Sequence, residues 1–238
     1  MAKLNLKPLI GLVSGTGPLA GSNTFEKILK YAAQNYNVSE DHEYPDVLLV
    51  NHGTKGVDNL GTINKAFEKD TIKAIKYLEN QGCTVIGVAC NTAHIHFNGT
   101  KVGSKKKLVN LIDIVSKEAS NYPGEYLLVT SNASKIEKLY HSYLKRYGVS
   151  FEETTKEEQL LIDRVIGLVM AYKLDQAAEV LKGIFVSAKK RGLRGVITGC
   201  TELPIAIDHC KDTQNLNIID CNYILAKSLV DKYFTDKD

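Results

Sequence analysis

Tryptophan is absent from the 238 residues, methionine occurs twice and proline five times. No apolar run approaches the ~20 residues that a membrane-spanning helix needs, which excludes a helical membrane protein. Neither sign of charge dominates: 30 basic against 27 acidic residues leave a net +3, and the basic residues are spread along the chain. The densest basic cluster, Lys105-Lys106-Lys107, reads as a solvated loop rather than a phosphate-reading patch, so nucleic acid is not an expected partner. An even set of cysteines is also missing. Five (Cys83, Cys90, Cys200, Cys210, Cys221) in a chain long enough to bury its own core point to free thiols in a reducing, cytoplasmic setting. The N-terminal segment offers an apolar stretch of only Leu9 to Val13 with no small-residue cleavage site, which argues against a signal peptide. Short repeats and low-complexity segments are lacking too.

What is present is a globular composition, 44% hydrophobic with 24% charged, which rules out a disordered chain. At ~100–150 residues per domain the length suits one large domain or two small ones. Strand-like runs alternate with helical periods. Leu9 to Val13 is continuously apolar, as a strand covered on both faces must be, and ends in the turn Gly15-Thr16-Gly17-Pro18. Asn23, three residues before Glu26, reads as the capping-box start of a helix carrying Phe25, Ile28, Leu29 and Ala32. Further strands are expected at Val47–Val50, Val85–Ala89, Leu108–Ile112, Tyr126–Val129, Val149–Phe151, Val196–Thr198 and Ile218–Ile219. Helices are expected around Ile72–Leu78, Ile136–Tyr147, Leu160–Met170, Gln176–Lys190 and Ile224–Phe234. Such interleaving predicts an α/β protein with parallel sheets flanked by helices.

The two halves echo each other. Each has a buried strand ending in small residues, then a cysteine: Ala89-Cys90-Asn91-Thr92 and Gly199-Cys200-Thr201-Glu202. In parallel α/β sheets ligands lie outside the carboxyl ends of strands. A helix start there offers unpaired N–H groups and a positive dipole end, which can depress a thiol pKa below ~8.5 or bind a substrate carboxylate. Cys90 and Cys200 are therefore the candidate reactive pair, whereas Cys83, Cys210 and Cys221 have no such setting and read as packing residues.

The segments Ile10-Gly11 with Gly15-Thr16-Gly17-Pro18-Leu19-Ala20, Cys90-Asn91-Thr92-Ala93-His94 and Gly199-Cys200-Thr201-Glu202-Leu203-Pro204 resemble, in order, three signatures of the aspartate/glutamate racemase superfamily. The likeness is greatest to its aspartate racemase branch. The resemblance implies two pseudo-symmetric α/β lobes, 1–107 plus 222–238 and 108–221, with a cofactor-free active site in the cleft between them and a homodimeric assembly. It also implies a small amino-acid substrate, with one cysteine thiolate removing the Cα proton and the other cysteine returning one. Inversion needs a base on one face and an acid on the other, and without an electron sink the carbanion must be held by hydrogen bonds. Candidate substrate-binding residues are Thr16, Gly17, Asn51, Asn91, Thr92, Ser134, Thr201 and Glu202. Glu202 either holds a neighbouring thiol or caps a helix, and His94 makes a structural hydrogen bond or relays a proton.

Departures from the family pattern bear on the substrate. Members active on aspartate carry cations where this chain has Asn59, after Asp58, and Met170. Without them the side-chain carboxylate of aspartate loses its expected partners, unless Lys55 or Lys173 reaches in. Thr16 stands where Met is usual and Ser14 where Gly is usual. Other readings stay open. Gly15-x-Gly17-x-x-Ala20 fits a dinucleotide fingerprint, though the next strand ends in Asn51-His52 rather than an acid. Cys90, His94 and His96 invite a metal site. A non-catalytic binding protein, or a decarboxylase or cis–trans isomerase on the same fold, is also compatible.

Overall fold

Continuous apolar runs become buried strands. In the computed structural model, which describes residues 9–54, 65–97 and 108–235, seven strands form two all-parallel sheets. Strands β1 (Leu9–Ser14), β2 (Asp46–Asn51) and β3 (Val85–Val88) are ordered β2-β1-β3. Strands β4 (Glu125–Thr130), β5 (Ser150–Glu153), β6 (Gly195–Gly199) and β7 (Asn217–Ile219) are ordered β5-β4-β6-β7. The plan is the same twice: the first strand is central, the second pairs on one side and the third on the other. Lys55, Asp58-Asn59 and the 105–107 lysines lie outside the described residues.

Helices connect and cover these strands: α1 (Pro18–Asn35), α2 (Lys65–Asn80), α3 (Leu111–Ser120), α4 (Asn132–Ile136), α5 (His141–Arg146), α6 (Lys156–Met170), α7 (Leu174–Lys190), α8 (Leu203–Asp208) and α9 (Cys221–Thr235). The period of two divides each central strand between two cores. From β1, Leu9 and Val13 pack with Phe67, Ile75 and Leu78 of α2. From β4, Leu127 and Val129 pack with Ile162 and Val165 of α6 and Leu181 of α7. The alternate residues, Ile10 and Leu12 of β1 and Tyr126 and Leu128 of β4, meet in one shared cluster completed by α3 and by Leu225 and Leu229 of α9. Helix α9 packs against α1 and β3, bringing the end of the chain back to the first sheet.

Four local expectations differ. Leu108–Ile112 is not a strand: only Leu108 bridges Ile86, and Asn110 then accepts from the Asp113 N–H at 3.2 Å as the N-cap of α3. A side chain that satisfies an orphan helix donor outweighs the strand-like apolar pattern of this segment. The 136–147 stripe is broken into α4 and α5 by Lys138 at φ 49, and Ile136 points to solvent. Helix α1 starts at Pro18, where a missing N–H costs nothing, and not at Asn23. Asn23 instead bridges distant segments. Its amide donates to Asp208 at 2.9 Å and its carbonyl oxygen accepts from Asn222 at 2.9 Å. The segment after Cys90 is a 3-10 turn, Thr92–Phe97, rather than an α-helix.

Candidate active site

The carboxyl ends of β3 and β6 meet. Cys90 follows β3 and is half-buried, while Cys200 follows β6 and is buried. The turns that carry them are tied together, since the Thr201 hydroxyl donates to the Ala89 carbonyl at 3.3 Å. Both cysteines line one cavity of about 440 Å³, within the usual range for small-molecule sites. Its wall also includes Thr16, Gly17, Asn91, Thr92, Thr201 and Glu202 from the sequence-derived set. Two residues of that set lie elsewhere. Asn51 is exposed at the end of the edge strand β2 and does not line the cavity. Ser134 is buried behind the wall, where its hydroxyl meets Thr92 Oγ1 at 3.1 Å and Ser131 Oγ at 3.2 Å.

Around Cys200 the chemistry is acidic. Its Sγ donates to Glu202 Oε2 at 3.0 Å, and the single Thr201 hydroxyl proton is shared between the Ala89 carbonyl and this same oxygen, 3.3 Å from each. Glu202 makes no side-chain capping bond to α8, so of its two expected roles the structure places it on the thiol. Gly17, the N-cap of α1 at φ 80, lies directly against this carboxylate, and a Cβ there would overlap it. The glycine of the would-be dinucleotide fingerprint thus makes room for the protein's own Glu202, leaving a carboxylate where that reading needs a pyrophosphate.

The surroundings of the two thiols do not acidify them. Burial pushes the Cys90 thiol up to about 12, and the Glu202 charge adds to this against the N–H groups of Ala93 and Thr92. Burial, then the Glu202 charge, raises Cys200 well above its ordinary value. Burial likewise raises Glu202, opposed by its bonds from Cys200 and Thr201. The short turns after each strand supply N–H groups, but desolvation outweighs them, opposite to the depression expected from a helix start. His94 is fixed by backbone at both nitrogens: Nδ1 donates to the Cys90 carbonyl at 2.9 Å and Nε2 accepts from the Leu111 N–H at 3.2 Å. Burial holds it down at about 4, and with both nitrogens engaged by backbone groups neither faces a metal ion or a substrate in this arrangement. Among the described residues no group of His, Cys, Asp and Glu is arranged to hold a metal ion.

A family model described as Asp/Glu/Hydantoin racemase matches residues 13–229. The chain belongs to this family. Within the Asp/Glu/hydantoin racemase family it is 24% identical over 228 residues to the broad specificity amino-acid racemase RacX of Bacillus subtilis, covering 94% of this chain and 98% of that one. Its fold is similar to that of Picrophilus torridus aspartate racemase, with TM-score 0.82, 24% identity and 95% and 94% of the two chains covered. An aspartate racemase homologue from Pyrococcus horikoshii OT3 gives TM-score 0.75 at 24% identity, with 96% and 100% covered.

Several lining residues of this racemase-family cavity were not singled out from sequence: Thr54, Ser131, Asn132, Asp163, Ile166 and Gly167. The last three share a face of α6 with Met170, at spacings of three, four and seven from Asp163, a helical signal that reads as ordinary amphipathicity without the fold. Tyr140 was also hidden. Its hydroxyl donates to Asn91 Oδ1 at 2.5 Å, while the Asn91 amide reaches Cys221 Sγ at 3.6 Å, so a buried tyrosine and a buried thiol orient Asn91 from behind. Lys173, considered as a substitute cation, is exposed at the N-cap of α7 and does not line the cavity.

Proposed function

We propose that the protein is a cofactor-independent amino-acid racemase in which Cys90 and Cys200 exchange protons with the two faces of the substrate Cα. The observation that carries this reading is the presence of both cysteines in the lining of one cavity, each from the equivalent strand end of its own sheet. Family membership supports the reaction class. One thiolate takes the Cα proton and becomes a thiol. The carbanion takes a proton from the opposite thiol, which becomes the thiolate, so the product is the mirror image and the proton count is unchanged. Glu202 is the resident acceptor for the Cys200 proton. Asn91, Thr92 and Thr201, with adjoining N–H groups, are the donors to the substrate carboxylate and its enediolate-like charge.

We further propose that the substrate is not aspartate. Among the described residues no Lys or Arg lines the cavity, and Met170, which lines it, stands by spacing where the family resemblance implies a cation. An unpaired carboxylate there would be costly. The lobes divide as 1–107 with 222–238 and 108–221, supported by α9 packing on α1 and β3. The protein is cytoplasmic and homodimeric in this reading, as the free cysteines and the family resemblance suggest.

The test is Cys90→Ser and Cys200→Ser, assayed with a panel of L- and D-amino acids for racemisation and for deuterium uptake at Cα. Each variant should lose full racemisation while retaining exchange on at most one enantiomer. Unimpaired racemisation in either variant would rule the two-thiol mechanism out. Aspartate turning over faster than every neutral or basic amino acid would overturn the substrate assignment.

A further inference from the structure

We infer that Cys221 is a positioning residue of the active site. A one-way chain of hydrogen bonds runs from Tyr140 through Asn91, Cys221 and Asn222 to the Thr201 carbonyl. It fixes the Asn91 amide and ties the turn after Cys90 to the turn after Cys200. The inference rests on the racemase reading and adds residues that act on that site from behind. Tyr140, Asn91, Cys221, Asn222 and Thr201 are all buried, and they come from separate places: the N-cap of α5, the turn after β3, the start of α9 and the turn after β6. Packing alone does not account for Cys221, because its thiol accepts and donates at once.

The direction of the chain follows from its fixed end. Asn222 Nδ2 lies 2.9 Å from the Thr201 carbonyl and 2.9 Å from the side-chain oxygen of Asn23. A main-chain carbonyl only accepts, so the Asn222 nitrogen faces Thr201 and its Oδ1 is left for Cys221. That oxygen is 3.6 Å from Cys221 Sγ, and the thiol donates its single proton there. Only the sulfur lone pairs then remain for Asn91, which presents Nδ2 to them at 3.6 Å. Asn91 Oδ1 is thereby turned to the Tyr140 hydroxyl, which donates to it at 2.5 Å. Reversing either amide would set two acceptors against each other in a buried place, where an unmade hydrogen bond costs more than a made one contributes. The thiol is itself anchored, since the Cys221 N–H donates to Thr198 Oγ1 of β6 at 2.9 Å. Asn91 Nδ2 carries a second proton with no acceptor among the described residues, and Asn91 lines the cavity, so the chain holds a donor ready for the substrate carboxylate. Its other end holds the backbone of Thr201, whose hydroxyl is shared between Ala89 and Glu202. One thiol thus couples the donor beside Cys90 to the turn beside Cys200.

The experiment sets Cys221→Ser, which keeps a donor and an acceptor but loses volume, against Cys221→Val, which keeps the bulk and loses both. For each, kcat and KM for racemisation are read with the amino acid that the wild type turns over fastest. Cys221→Val should lower kcat/KM about ten-fold, most of it in kcat, because the misplaced donor serves charge that develops during the reaction. Cys221→Ser should recover most of that loss. A packing role predicts the reverse order, so Cys221→Val equal to or better than Cys221→Ser would overturn the assignment. Tyr140→Phe keeps the ring, removes the first donor and leaves the thiol untouched, so it tests the chain even where Cys221→Val does not fold. It should lose activity by a similar factor, and an unchanged kcat/KM would count against the chain as a whole. The side-chain amide signals of Asn91 in a proton–nitrogen correlation spectrum, assigned by their loss in Asn91→Asp, give a readout independent of turnover. They should move in Cys221→Val and stay near their wild-type positions in Cys221→Ser. If the wild type racemises no amino acid, the racemase reading fails on its own. The Asn91 signals then decide the role of Cys221, and equal shifts in the two variants would overturn it.

Discussion

At the residue scale the site is governed by one carboxylate. Glu202 raises both thiols, being the second cause after burial for Cys90 and for Cys200. A nearby negative charge opposes thiolate formation, so neutralising it must lower both thiol pKa values wherever Glu202 is ionised. In Glu202→Gln, the pH midpoint for iodoacetamide alkylation of Cys90 and Cys200, followed by peptide mass mapping, should move to lower pH. A midpoint that stays in place or rises would show that Glu202 does not act on the thiols through its charge. The same variant should lose racemisation, because the thiolate becomes easier to form but has no resident acceptor for its proton. These two opposite effects separate an electrostatic role from a packing role. Cys90, Cys200 and their Asn and Thr neighbours were legible as a group because local chemistry at two strand ends marks them. Glu202 was legible as a residue but not in its orientation, which depends on the close approach of Gly17 from another segment. Tyr140 and Asp163 were not legible as site residues, because only tertiary packing brings them to Asn91 and to the cavity.

At the element scale, helix α6 sets the position of Asp163 and Met170, and its start is well defined. Thr155 Oγ1 accepts from the Glu158 N–H at 3.2 Å and Glu158 Oε2 accepts from the Thr155 N–H at 2.9 Å, a reciprocal capping box. Thr155→Ala removes one half of it and should destabilise the protein by about 1 kcal/mol. Urea unfolding should report this as a lower midpoint with an unchanged slope. A loss under a few tenths of a kcal/mol would mean that tertiary packing alone holds this end. Most elements were visible as alternating apolar runs and helical periods, since buried parallel strands and amphipathic helices carry those signatures. The failures fall where side chains compete with the backbone. Asn110 converts an apparent strand into a helix start, Lys138 in the left-handed region divides a helical stripe, and Asn23 imitates a cap while bridging Asp208 and Asn222.

At the scale of the whole molecule, the repeated sheet plan explains why one cysteine comes from each half. The cluster between the sheets has a separate consequence. Ile10 and Leu12 of β1 and Tyr126 and Leu128 of β4 share it with α3 and α9, so apolar surface from each half is dry only in the presence of the other. Burial of each large side chain contributes roughly 1.5–3 kcal/mol, and separating the halves would forfeit many such contributions at once. The protein should therefore melt as a single cooperative unit, with one calorimetric endotherm whose enthalpy matches the van't Hoff value. Two resolved transitions would show the halves to be energetically independent. Severing the chain near residues 107 and 221 should yield fragments that aggregate when expressed separately and recover structure only on co-expression. Molecular recognition between the halves is thus a condition of folding itself, and a lineage that altered one half's inner face would have to alter the other's in step.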